Sequence, residues 1–293
     1  MNGPGGRAGP LERVLGRLDE ARAGTPAPDT VSTGFPSLDL RLGGGIRRRD
    51  LVVLGGDVGS GKSALALAVA LRSAAGGVPT LYLSGEMDEE RVAERALAIE
   101  SRVSIDDLRL GRLDDAARSA AGAATLRLRA LPLAVRPLLG GDFDELRRAL
   151  DAMEAGEGGR RPVLVVVDSL QHVEPPRPAA RSAERLAAAV RALKALALAE
   201  DVAVLATAQL PGLRGGRADQ RPTLDDLGAF GAVKQLADVV LALYREEMYR
   251  PGGGVEGATE LLLLKNRNGP TGFVDLYFHA TWLRIEDLLD PEP

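Results

Sequence analysis

Apolar residues along this chain keep two different rhythms. Short continuous runs, DLVVLG at 50–55, PTLYLS at 79–84, LPLAVR at 131–136, VLVVVD at 163–168 and VAVLAT at 202–207, have the length and composition of strands. Between them, segments 62–75, 88–100, 142–153 and 182–199 carry the helical period. In the last of these Leu186, Val190, Leu193 and Ala197 fall on one stripe. Strands without a polar face, alternating with helices, predict an α/β fold: a mostly parallel central sheet covered by helices on both faces. From about residue 237 the helices stop. Segments 238–244, 259–266, 272–278 and 281–286 read as strands alone, set as antiparallel hairpins that extend the sheet at its edge. One of them, LLLLKNRNGPTG at 261–272, begins as a strand apolar on both faces, of the kind found in parallel sheets. It then presents Lys265 and Arg267, which as i and i+2 of a strand point the same way.

Ahead of this pattern, residues 1–10 and 24–31 are rich in Gly and Pro and read as flexible. They flank LERVLGRLDEARA, a short amphipathic helix at about 11–23 whose Leu11, Val14, Leu15 and Leu18 share a face. A helix this short does not stand alone in water, so it is expected to dock on something. The chain thus divides into an N-terminal segment, 1–30, and one large unit, 31–293.

Composition narrows the chemistry. Apolar residues make up 45%, enough for a sizeable core. There is no Cys, which excludes a disulfide frame, a Cys-based zinc site and a thiol nucleophile. His172 and His279 stand too far apart in sequence to suggest a metal site. No apolar run has membrane-spanning length and the first residues lack an apolar signal core, so the expectation is a cytoplasmic protein with no membrane partner. The net charge of −4 does not decide for or against nucleic acid, since an acidic shell can enclose a basic channel.

The sharpest local signal is Gly56-x-x-x-x-Gly61-Lys62-Ser63, placed directly after a strand and opening a helix. Glycines there let successive backbone N–H groups curl around phosphate oxygens, and the helix N-terminus adds its positive end. Residues Gly56, Asp57, Val58, Gly59, Ser60, Gly61, Lys62, Ser63 and Ala64 are the expected nucleotide cradle. Lys62 would reach the β/γ-phosphates and the Ser63 hydroxyl would hold Mg²⁺. Asp168 ends the strand VLVVVD where a second Mg²⁺ group would sit, though an Asp there can also be a cap. Glu86, at the C-terminal end of another strand, fits a water-activating carboxylate or, less specifically, a surface acid opening a helix. Gln209, leaving VAVLATAQL, fits a γ-phosphate contact or a loop cap. These residues point to binding of ATP with Mg²⁺ and to its hydrolysis.

The order of motifs, STGFPSLDLRLGGGIRRRDLVVLGG, LYLSGEM, VVVDSLQ, LATAQL, RADQRPTLDDL, QLADVVLALYREEMY and KNRNGPTGFVDLYF, resembles the RecA-type ATPases, and most closely the C-terminal motor domain of the DnaB-type replicative helicases. The resemblance covers about 31–288 and implies a RecA-like P-loop fold and an ATP-driven helicase or translocase on single-stranded DNA. It makes Lys62 and Ser63 the phosphate and Mg²⁺ ligands, Glu86 the catalytic carboxylate, Asp168 the Walker-B acid and Gln209 the γ-phosphate sensor. Lys265 and Arg267 match the family's K-x-R-N-G-P-x-G element, whose cations reach the nucleotide of the neighbouring subunit. The implied assembly is a homo-hexameric ring, and the short helix 11–23 matches the linker helix in position. Head-to-tail contacts of this kind close into rings. Without the resemblance, both cations read equally as solvated residues at a strand end.

DNA contacts are expected from Arg214, Arg217 and Arg221 in PGLRGGRADQRP and from Gly231 and Lys234 nearby. The chain departs from the family in four places. No helical domain is expected before the linker helix, so the primase-interacting collar is expected to be absent; a separate replication or recombination protein is a candidate partner, and whether one replaces the collar stays open. Gly228, Ala229, Phe230 and Gly231 stand where the family has Arg-Glu-Ser-Gly, losing a phosphate contact. Lys234 and Leu236 replace acids. SGE, VDSLQ and GGD lean toward RadA- and KaiC-like ATPases, which leaves a recombination or regulatory ATPase without helicase activity as the alternative.

Overall fold

A computed structural model describes residues 9–22, 29–138, 143–155, 161–174, 182–210, 217, 219–226 and 231–290. Its centre is one nine-stranded sheet. The strands are β3 (Leu51–Gly56), β4 (Thr80–Ser84), β5 (Leu133–Pro137), β6 (Leu164–Asp168), β7 (Ala203–Gln209), β8 (Val239–Tyr244), β9 (Ala258–Asn266), β10 (Gly272–His279) and β11 (Arg284–Asp287), in the order β11-β10-β9-β8-β3-β7-β6-β4-β5. A two-stranded ribbon, β1 (Thr30–Val31) with β2 (Ile46–Arg47), stands apart.

The continuous apolar runs become strands because each is buried on both faces. Val52 and Leu54 of β3 point into one core, Leu51 and Val53 into the other. The first core is covered by α2 (Pro36–Leu42), α3 (Lys62–Ala75) and α4 (Glu89–Ser101). The second is covered by α7 (Phe143–Ala155), α8 (Ser182–Glu200) and α9 (Gly231–Leu236). On α8, Val190, Leu193 and Ala197 are fully buried, as their spacing predicts. Each such leucine contributes about 1.5–3 kcal/mol by leaving water.

The sequence pattern needs three corrections. Strand β8 is parallel to β3 and antiparallel only to β9, so 238–244 belongs to the parallel part of the sheet. The chain reaches β8 through α9, and that helical crossover permits the parallel pairing. The leucine strand β9 is antiparallel to both its neighbours. Leu261, Leu262 and Leu263 are buried because β9 lies inside the sheet between β8 and β10; parallel neighbours are not required for that. Finally, α5 (Ile105–Leu110) and α6 (Asp115–Arg129) fill a stretch in which the sequence pattern marks no helix. Helix α6 buries only Ala121 and Ala124, too small a stripe to stand out.

The N-terminal helix, α1, spans Pro10–Arg22, and its Leu11, Leu15 and Leu18 are exposed. No helix among the described residues is long and apolar enough to cross a membrane.

Candidate functional site

The turn after β3 holds the nucleotide motif. Gly59 and Gly61 take positive φ, 76° and 100°, which side-chain-bearing residues resist. At Gly56 a Cβ would meet the Ser60 hydroxyl oxygen at 2.6 Å, so the turn closes only over glycine. Helix α3 starts from Gly61 with no side-chain cap, leaving its first N–H groups facing the turn. Lys62 Nζ lies over this turn and donates to the Asp57 carbonyl at 2.6 Å. Burial lowers the Lys62 pKa, against the pull of Asp168, Asp57 and Glu86. A bound polyanion would strengthen that pull.

Strand pairing carries the other groups to the same edge. Gly56 is in register with Gln209, and Ser84 with Asp168. Asp168 is buried, and both its oxygens are engaged. Oδ1 accepts from Ser63 Oγ at 3.1 Å and from Thr207 Oγ1 at 2.5 Å; Oδ2 accepts from the Tyr82 hydroxyl at 2.9 Å. Burial, and then the Asp168 charge, push the Tyr82 pKa well up, so this phenol remains a donor. Glu86 and Gln209, both exposed, line the same cavity of about 400 Å³ as Lys62, Ser63 and Asp168.

Two residues that the sequence did not flag join them. Arg95 of α4 lines the cavity, half-buried, with no hydrogen bond or ion pair among the described residues. Nine positions after Glu86 on the helix that Glu86 precedes, it had no motif to mark it. Arg245 packs over the Phe278 ring at 4.4 Å, pairs with Glu247 and donates to the Gly59 carbonyl at 3.3 Å.

The donor set suits Mg²⁺ with a nucleotide. A hydroxyl and one carboxylate are what an ion that keeps phosphate and water ligands requires. The Ser60 hydroxyl, buried inside the turn with no partner, is a further polar atom at the cradle. No cluster of three or more His, Cys, Asp or Glu exists among the described residues to form an all-protein metal cage.

Lys265 and Arg267 lie elsewhere. The Arg267 N–H donates to the Asp238 carbonyl, and the Asp238 N–H in turn donates to the carbonyl of Leu51, the first residue of β3. The pair therefore sits at the N-terminal edge of the parallel strands. The cradle lies beyond the other end of β3, five residues and about 16 Å away. Neither cation lines the cavity of its own chain. Nor do they project freely: Lys265 Nζ donates to the carbonyls of Lys234 and Ala237 at the end of α9, and Arg267 reaches Asp238.

Of the expected DNA contacts, Arg214 and 228–230 lie outside the described residues. Arg217 Nη1 donates to both carboxylate oxygens of Asp226, at 2.8 and 2.7 Å, and Arg221 forms a two-pronged pair with Glu260 through Nε and Nη2. Lys234 bonds Asp225 at 2.6 Å, and Gly231 opens α9. These cations are held by acids of their own chain, a pairing that sequence spacing did not reveal.

The family model for the DnaB-like helicase C-terminal domain matches residues 30–287. The replicative DNA helicase DnaB of Pasteurella multocida is 32% identical over 285 residues, covering 96% of this chain and 60% of its own. That of Leifsonia xyli is 31% identical, covering 94% of this chain and 61% of its own. The chain thus spans about three fifths of the length of these relatives. Among solved structures, one described as an ATPase domain aligns with TM-score 0.85 at 25% identity, covering 96% of this chain and all of that one. A DnaB-like replicative helicase, described with its interactions with primase, aligns with TM-score 0.86 at 24% identity, over 96% of this chain and 68% of that one. On the length and identity of these matches, the chain belongs to the DnaB-like helicase C-terminal domain family.

Proposed function

We propose that the chain is the ATP-hydrolysing motor of a ring that translocates on single-stranded DNA and unwinds duplexes. The observation that carries this is the separation of two charge systems: Lys62, Ser63, Asp168, Glu86 and Arg95 meet in one cavity, while Lys265 and Arg267 sit at the opposite edge of the sheet. Neither cation lines the nucleotide cavity of its own subunit, which supports reading the pair as serving a neighbour's.

In this reading the 56–61 turn and Lys62 bind the triphosphate, and Ser63 with Asp168 would hold Mg²⁺, which would supply positive charge against the phosphates. Thr207 and Tyr82 keep Asp168 aimed at Ser63. Glu86 accepts the proton of the attacking water, Gln209 senses the γ-phosphate, and Arg95 adds a second cis cation. Lys265 and Arg267 of the adjacent copy stabilise the transition state, an effect worth ~10³–10⁵ in rate in other NTPases. The loops 211–222 and 228–234, with Arg214, Arg217, Arg221, Gly231 and Lys234, grip single-stranded DNA.

The test is the ATPase rate with and without single-stranded DNA, beside unwinding of a forked duplex. Stimulation with unwinding is the expected result. Hydrolysis indifferent to DNA would leave only a regulatory ATPase.

A further inference from the structure

The side chain of Arg267 is 52% exposed, yet one edge of it is fixed. Its Nη1 donates to Asp238 Oδ1 at 2.9 Å and Nη2 to the Gln235 carbonyl at 3.0 Å. Asp238 is itself immobile: its side chain is 3% exposed, and its second oxygen accepts from the Leu51 N–H at 2.9 Å and Lys194 Nζ at 2.5 Å. Lys194, on α8, also donates to the Arg49 carbonyl at 2.7 Å. One buried carboxylate thus joins β3, β8, α8 and the turn after β9.

We propose that Asp238 is the positioning residue that presents Arg267 to the neighbouring subunit. The inference rests on the reading of Lys265 and Arg267 as trans cations. An unsupported arginine samples many rotamers, and fixing it only at the transition state would cost entropy at each turnover. Asp238 fixes it beforehand. Because Lys194 already neutralises the carboxylate, the bond orients the guanidinium without cancelling its charge. The guanidinium keeps further donors for a phosphate. A purely structural salt bridge would serve stability alone and act within its own subunit; this one acts on the next.

That difference is measurable. Asp238→Asn in the full chain is expected to lower kcat for ATP hydrolysis about tenfold or more, with KM for ATP little changed. Mixing it with the Glu86→Gln chain is expected to raise activity above the sum of the two alone, because an intact Glu86 then meets a well-held Arg267. Asp238→Asn combined with Lys194→Met removes the ammonium left unneutralised, and carries the test if the single variant does not fold. An unchanged kcat overturns the proposal. So does failure of the mixture to recover while an Arg267→Ala mixture recovers. If Arg267→Ala also fails to recover, the trans reading falls and takes this proposal with it.

Discussion

Ser63 and Asp168 stand 105 residues apart in sequence, and their side-chain oxygens meet at 3.1 Å. In the proposed mechanism they hold one Mg²⁺ and act as a unit. Ser63→Ala and Asp168→Asn are each expected to cut kcat/KM about 10²-fold. The double variant should cost little more than either alone, because effects of residues that act together do not add. Rates measured across a Mg²⁺ series check this; additive losses would separate their roles.

Glu86 carries the proposed proton transfer. Glu86→Gln keeps size and polarity and removes the base, so turnover should fall by about 10²-fold or more with ATP affinity nearly intact. Single-turnover hydrolysis beside binding of a fluorescent ATP analogue distinguishes the two; unchanged turnover would remove Glu86 from the mechanism.

Arg221 is held by Glu260 and lies 5.0 Å over the Tyr244 ring. If it is a DNA contact, Glu260 competes with phosphate for it. Glu260→Gln is then expected to tighten single-stranded DNA binding and to steepen the salt dependence by about one phosphate contact per subunit. Weaker or unchanged binding across a salt titration would place Arg221 in the fold rather than on the strand.

Asp290 takes both Nη groups of Arg72, at 2.7 and 2.6 Å, tying the last described residues to α3. Burial works to raise its pKa, but hydrogen bonds from Arg72 and the Asp287 N–H outweigh this and leave it below the ordinary value. A depressed folded pKa gives stability that is present above the unfolded value of ~3.9 and lost as pH falls through the lower folded one. Asp290→Asn should therefore cost about 0.5–1 kcal/mol at pH 7 and progressively less in acid, read from denaturation at several pH values.

The parts of this fold legible in the sequence are those encoded locally. Strands β3, β4, β6 and β7 stand out because both their faces are buried, and the turn at 56–63 because its glycines, Lys62 and Ser63 all fall within eight residues. What stayed hidden depends on neighbours distant in sequence. The direction of β8 is set by a crossover, not by its own residues. Arg95 gains meaning only when α4 leans over the cavity. The engagement of Arg217 and Arg221 depends on Asp226 and Glu260, which lie 9 and 39 residues further along.

The sheet places the cradle at one end of each subunit and Lys265 and Arg267 at the other. In the proposed assembly no monomer is then a slow enzyme in its own right, because each cradle depends on the cations of another copy. Dilution should act as an inhibitor: activity per chain would collapse steeply as copies separate, while each chain stays folded and retains its nucleotide.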